Sequence, residues 1–405
     1  MKLIFSPKGS VVSASLTILL LCSNQLLAQQ DGPAGVPVGS GYVFPSIDLT
    51  FLNDDNLTNA DINEIDTIGW KVAPSLLYEQ SSNRSRFAAD WRLDAGWYDD
   101  SPIDDYVDNY VSGIFEYQPT NRFNSALKAN FTDSHDPRGT GRAEGALVAA
   151  QPEFDEWHSF GVEGNFGYGL ENGIARVEGD VGYTTKEYDN NRGSTFVRDR
   201  DDTYGAARFF YRLAPNTDLV VEGRLADHSY VQTAVGVAPL DSFVHRILGG
   251  VSWEATGKTT GSIKLGYIDK DFDSGTRQDG DALIWEIGIT WEPRTYSVVN
   301  ISSSRDFQET NGAGNFIQKD NFISADWTHY WQEHISTTVN FSYTEDTFDP
   351  TTREDELTNA GARLNYDLQR WLTVSGGYRY DERDSNANAF DYERNIFELT
   401  VRVTL

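Results

Sequence analysis

From Tyr42 to Leu405 one pattern recurs: about ten residues of alternating apolar and polar side chains, then an aromatic, then a short polar turn. The closing aromatics are Tyr78, Tyr117, Tyr168, Tyr211, Trp253, Trp291, Trp331 and Tyr366. The turns behind them include Gln118 to Arg122, Glu292 to Arg294 and Gln369 to Arg370. Successive strand residues point to opposite faces, so alternation gives each segment one apolar and one polar side. The last segment is the cleanest case. Phe397, Leu399, Val401, Val403 and Leu405 share one face, and Glu398, Thr400, Arg402 and Thr404 share the other.

Lipid on one face and water on the other requires this period of two, with Tyr and Trp rings marking the interface. The pattern predicts an all-β fold, a transmembrane antiparallel up-and-down β-barrel of about 18 strands. The expected strands are 42–53, 67–79, 84–98, 106–118, 122–133, 154–169, 173–186, 202–213, 218–230, 242–254, 261–271, 282–292, 295–307, 321–331, 335–347, 357–368, 371–382 and 393–405. An even number returns both termini to one side of the membrane. The eight aromatics then form one belt at the periplasmic boundary.

A soluble sandwich or propeller would also alternate, but its second face must pack into a core. Here that face carries the residues expected to line the lumen: Asp90, Arg92, Asp94, Arg176, Glu178, Arg208, Arg212, Glu222, Arg224, Arg363 and Arg379. So many charges do not pack in a dry core. The mean hydropathy of −0.48 does not argue against a membrane barrel, because only every second residue faces lipid. Eighteen strands enclose a space too wide for side chains to fill, hence a water-filled or plugged channel with a wall of mixed charge.

The N-terminus divides from the barrel. Residues 1–28 read as a signal peptide: Lys2 and Lys8 give a basic start, Val11 to Leu21 is apolar, and Leu26-Leu27-Ala28 offers a cleavage site. Cys22 lacks the small residue that precedes a lipidated cysteine. Cleavage after Ala28 removes the one Cys and the one Met, which excludes disulfide and thiolate chemistry. Residues 29–41, rich in Gly and Pro, are expected to be a periplasmic lead-in without regular structure, and residues 42–405 the outer-membrane β-barrel.

The net charge of −28 becomes −30 when Lys2 and Lys8 leave, and it excludes nucleic acid as a partner. Half of it lies in three stretches, 54–66, 99–108 and 345–356, each with a net of −5. Carboxylates there could bridge divalent cations to lipopolysaccharide, but a solvated face is the favoured reading. Asp54-Asp55-Asn56 lacks calcium-loop spacing, so no metal site is assigned. His158-Ser159 and His228-Ser229 are strand neighbours that point to opposite faces, so no catalytic residue is assigned and no enzyme is expected. No glycine-rich phosphate loop implies a cofactor. The longest loop, 133–153, contains Asp136-Pro137-Arg138-Gly139-Thr140-Gly141-Arg142. It could fold into the lumen as third loops do in general porins, although an extended surface loop is the expectation adopted.

The opening segment, Tyr42-Val43-Phe44-Pro45-Ser46-Ile47-Asp48-Leu49-Thr50-Phe51-Leu52-Asn53-Asp54-Asp55-Asn56-Leu57, resembles the start of the putative β-barrel porin 2 family. The motif is a strand containing Pro45 with Asp54-Asp55-Asn56 at its exit. The resemblance implies an outer-membrane channel for export of an exopolysaccharide, acting with a periplasmic polysaccharide-export protein and contributing to biofilm matrix. The alternative is a general or substrate-selective porin for small-solute uptake. Other expected partners are outer-membrane lipid, lipopolysaccharide and the barrel-insertion machinery, which reads a C-terminal strand like 393–405 although this one ends in Leu405 rather than an aromatic.

Overall fold

A computed structural model describes residues 35–405 apart from 146, 147, 149, 150, 152, 257 and 310–316. The expected signal peptide, Cys22 and the start of the lead-in lie outside the described residues. A short strand β1 (Val36–Val38) leads into β2 (Gly41–Asp54), β3 (Thr67–Ser81), β4 (Ser85–Tyr98), β5 (Tyr106–Thr120), β6 (Phe123–Asp136) and β7 (Asp155–Gly169). There follow β8 (Ala175–Tyr188), β9 (Arg200–Ala214), β10 (Thr217–Tyr230), β11 (Ser242–Thr256), β12 (Thr259–Phe272) and β13 (Gly280–Arg294). The wall is completed by β14 (Ser297–Gln308), β15 (Ile317–Gln332), β16 (Ile335–Asp349), β17 (Glu354–Gln369), β18 (Leu372–Ser385) and β19 (Tyr392–Thr404).

Each strand from β2 onward pairs antiparallel with the next, and β19 returns to β2, with Leu399 opposite Phe51 and Thr400 opposite Thr50. Eighteen strands thus form a closed barrel, as the alternation predicts. Closure leaves no unpaired edge among them, which a hydrocarbon environment demands of every backbone amide and carbonyl.

The exposure pattern is inverted relative to a soluble protein. Leu265 and Leu283 are 64% and 68% exposed, whereas Glu222 and Lys270 are 0% and 1% exposed. Apolar residues cover the outside, and the inside packs charged residues beside a buried apolar cluster that includes Val244, Leu248, Ile268, Ile284 and Phe307.

Strands of about fifteen residues, tilted about 45°, rise roughly 35 Å, some 10 Å more than the apolar band they cross. The excess lies at the long-loop end. There the ladder runs past the sequence expectation: β15 starts at Ile317 rather than 321, and β17 at Glu354 rather than 357. Above the lipid both faces are wet, so alternation fades while the backbone still pairs. At the other end register shifts follow the aromatics closely, between Tyr117 and Thr120, Trp253 and Thr256, and Trp291 and Arg294. A bulge there raises the local twist where the chain must reverse in two to five residues.

The lead-in corrects one expectation. Residues 36–38 are not irregular: Val36 pairs with Val43 and Val38 with Gly41. Gly39, at φ +62, supplies the left-handed turn between them.

Candidate functional site: the lumen wall and its outer mouth

The inner wall has two halves of different chemistry. Over β8–β13 many inward positions carry charges, opposite in sign at matched heights, beside the buried apolar residues of β11–β13. Glu222 faces Arg208 across one ladder, and Lys264 faces Glu286 across another. The side chains join sideways into a lattice. Arg208 reaches Asp180 at 2.5 Å and Glu222 at 2.8 Å; Arg224 reaches Glu222 at 2.6 Å and also binds Glu286. Lys264 closes the set at 2.8 Å from Glu222 and 2.5 Å from Glu286. A lower rung joins Arg176 to Asp218 at 2.5 Å and to Glu178 at 3.1 Å, and Arg212 also binds Asp218. Each charge is matched within the wall, so this half stiffens the barrel without attracting one sign of solute.

Of the inward residues singled out by parity, Arg176, Glu178, Arg208, Arg212, Glu222 and Arg224 are thus brought into one network. The others stand apart in local pairs. Arg92 meets Asp94 at 2.7 Å, Asp90 accepts from Ser112, Arg363 meets Glu398 at 2.6 Å and Arg379 meets Asp381 at 2.9 Å. Asp180, Lys264 and Glu286 share the inward parity and join the network, whereas Asp218 is a member that sequence reasoning missed. It shares parity with Glu222, but its place at the start of β10 beside a turn hides it.

The eight aromatics sit one to three residues from the short-turn ends of their strands. Tyr168 and Trp331 are the most exposed, and Tyr117, Tyr211, Trp291 and Tyr366 are also open to the outside. Tyr78 and Trp253 are half-buried.

The opposite half, β14–β18, is richer in hydroxyls and amides, with Asp320, Asp326, Asp346, Arg363 and Arg379 set among them. Ser302 bonds Ser324 at 2.7 Å, Thr328 bonds Thr338 at 3.0 Å, and Asn359 and Asn365 donate to Ser342 and Ser336 at 3.3 Å. Ser375 donates to Asn365 at 2.7 Å, and Gly361 and Gly377 interrupt the row with bare backbone. Hydroxyls and amides at this spacing offer both donors and acceptors to a hydrated solute.

The outer mouth is crossed by the segment after β6. Arg138 is held on its own side by Asp104, at 2.8 and 2.5 Å, and by Ser101 at 3.1 Å. Gly139 then passes so close to the Thr58 carbonyl that a Cβ would lie 1.7 Å from it, with φ at +87. Beyond it Glu144 reaches Arg353 at 2.9 Å and Arg383 at 3.5 Å, with β19, β2, β3, β4 and β5 between them and β6. Gly145 rests on the Ala389 carbonyl, and Arg142 and Gln151 return the chain to Asp155 at the start of β7. The expected surface loop is therefore corrected: Glu144 and the glycines at 139 and 145 allow contact across the opening, so residues 137–145 form a strap.

The acidic stretches are corrected too. They are not a solvated face throughout, since Asp54, Asp104, Asp108 and Asp355 are all buried at the mouth with cationic or polar partners. Asp355 holds Arg353, and His135 Nδ1 lies 2.9 Å from the Asp108 carboxylate. Burial opposes the charge of Arg353, but Asp355 and Glu144 more than offset it and hold the guanidinium pKa above its ordinary value.

Asp54-Asp55-Asn56 has a structural task at the seam between the first and last wall strands. Asp54 binds Arg394 at 2.9 and 2.5 Å, Asp55 binds the Asn395 side chain at 2.8 Å, and Asn56 donates to the Glu393 carbonyl at 2.9 Å. The same three residues carry the family resemblance. Residues 31–405 match the family described as Putative beta-barrel porin 2. The chain belongs to that family. A closed barrel with an apolar outside, in this family, places the protein in the bacterial outer membrane as a porin-like channel.

No curated protein matches the chain in sequence. Among solved structures it is similar to OccAB4 of Acinetobacter baumannii, at 11% identity and TM-score 0.47 over 91% of this chain and 98% of that one. It is also similar to OpdO of Pseudomonas aeruginosa, at 13% identity and TM-score 0.48 over 90% and 97%, and to the outer membrane protein OpdK of the same organism, at 10% identity and TM-score 0.47 over 90% and 99%.

Proposed function

We propose that this family barrel exports an exopolysaccharide across the outer membrane, acting with a periplasmic polysaccharide-export protein. The observation that carries the reading is the hydroxyl- and amide-rich wall of β14–β18, facing a charged wall whose ion pairs are satisfied internally. A sliding glycan needs many weak, exchangeable hydrogen bonds and no deep electrostatic well. The strap across the mouth fits a conduit that stays shut when no polymer is passing. The inner end, with short turns, leaves a low rim on which a periplasmic partner could sit.

A strain lacking the gene tests the reading. Export predicts loss of surface polysaccharide or biofilm matrix with normal uptake of small sugars. Normal matrix with slowed entry of a small solute would favour the uptake porin.

A further inference from the structure

Arg353 and Arg383 form a built site that the lumen network does not use. Arg353 lies between two rings, its guanidinium carbon 3.6 Å from the Phe390 centroid and 4.7 Å from Phe348. Arg383 lies 5.2 Å over Tyr392. Asp355, only 1% exposed and itself fixed by Ser385 Oγ at 2.7 Å, braces Arg353 from behind. Both arginine side chains are about nine-tenths buried, and Arg383 Nε makes no hydrogen bond. Besides Asp355, with Asp346 opposite it in the ladder and Asp381 two residues before Arg383, the two guanidiniums reach one further carboxylate. That carboxylate is Glu144, carried on the strap from the β6–β7 side, with β19, β2, β3, β4 and β5 lying between. Rigid aromatic walls, planar donors and a spare Nε are the features of a carboxylate receptor.

We propose that Arg353 and Arg383 are a carboxylate-binding subsite at the outer mouth, that Glu144 occupies it in the closed barrel, and that the cargo is an acidic polysaccharide whose sugar carboxylates displace Glu144. The assignment of the cargo rests on the export reading; the subsite and its latch do not. Arg138 and Arg142 anchor the near side of the strap to Asp104 and Asp155, whereas its far end is held by the charge of Glu144 and by the close backbone contact of Gly145, so competition for the two arginines frees that end. A neutral glycan has nothing with which to compete.

The test uses the purified full-length protein in planar bilayers, with the heat-dependent gel shift of a closed barrel as the folding control. Glu144→Gln should raise the mean conductance about twofold and move selectivity toward anions, because it opens the mouth and uncovers two cations. Trigalacturonate should open the wild type, whereas neutral maltotriose should not. Loss of the paired donors in Arg353→Gln/Arg383→Gln should raise the half-effective trigalacturonate concentration about tenfold or more. Monomeric galacturonate distinguishes a small carboxylate from a polymer as the occupant: equal potency per carboxylate would overturn the polymer assignment. Wild-type conductance and selectivity in a folded Glu144→Gln barrel would overturn the latch. Equal responses to trigalacturonate and maltotriose would overturn the subsite. None of these results depends on the deletion phenotype, so failure of the export reading is seen separately.

Discussion

Asp54 and Arg394 are 340 residues apart in sequence and joined by two hydrogen bonds, at 2.9 and 2.5 Å, across the line where the barrel closes. Lower on the same seam Asp48 and Arg402 make a second bidentate pair, at 2.7 and 2.6 Å. The two differ in solvent access. Asp54 is 2% exposed, while the Arg402 side chain is 54% exposed.

Arg394→Gln should therefore destabilise the closed barrel by about 3–5 kcal/mol, the cost of stranding a buried carboxylate. Arg402→Gln should cost under about 1 kcal/mol, as screened pairs do. Unfolding in urea, followed by the gel shift between folded and unfolded barrel, measures both. Equal losses would mean that the seam is held by its backbone ladder alone.

The two faces of β19 make a sharper contrast. Leu399 is outward and 50% exposed, whereas Thr400 points inward and bonds Thr50 at 2.9 Å. Leu399→Arg should cost roughly 2–4 kcal/mol in the membrane, and Thr400→Arg much less because its charge stays hydrated. Yields of assembled barrel in the outer membrane report the difference.

Narrowing the lumen is best done at Gly377. An added Cβ there meets the Arg363 guanidinium at an ordinary 3.7 Å, whereas at Gly361 it would come within 2.7 Å of Asn340 Oδ1. Gly377→Gln should fold normally and lower open-pore conductance by roughly a third, since a side chain replaces free cross-section. Gly361→Gln should need Asn340→Ala beside it to assemble as well. Assembly yield and conductance together decide the point.

Acid should loosen the outer end of the charged wall at one residue in particular. Glu309, just beyond β14, binds Tyr230 at 2.6 Å and also Lys270. Burial pushes its pKa up, but Lys270, His228 and Arg200 outweigh burial and hold it at about 2, against an ordinary 4.5. A depressed carboxyl stabilises fully at neutral pH, and that stability drains away as pH falls from about 4.5 through about 2, on the order of 3 kcal/mol in all. Amide exchange around Tyr230 and Lys270 should rise over that window, and Glu309→Gln should remove the pH dependence.

The strand order and the faces were legible because lipid imposes a period of two on every strand, as in Leu399 and Val401 against Thr400 and Arg402. Membership of the charged lattice was legible for the same reason: Arg208, Glu222 and Arg224 had to face inward. Their pairing was not, because the register between β9 and β10 is set by the Pro215–Asn216 turn and its bulge at Thr217. The strap was least legible. Nothing in Gly139-Thr140-Gly141 says whether a loop leans out or crosses to Arg353, since the contact that decides it lies 209 residues away. Acidic composition misled in the same way, because Asp54, Asp104 and Asp355 look like solvated loop residues until their arginines arrive from other strands.

The far end of the strap hangs on few contacts: Glu144 on Arg353 and Arg383, and the close approaches of Gly139 and Gly145 to the carbonyls of Thr58 and Ala389. Under the export reading proposed above, a polymer arriving from the inner side supplies the work that parts them. The barrel then acts as a passive latch that needs no stored energy of its own.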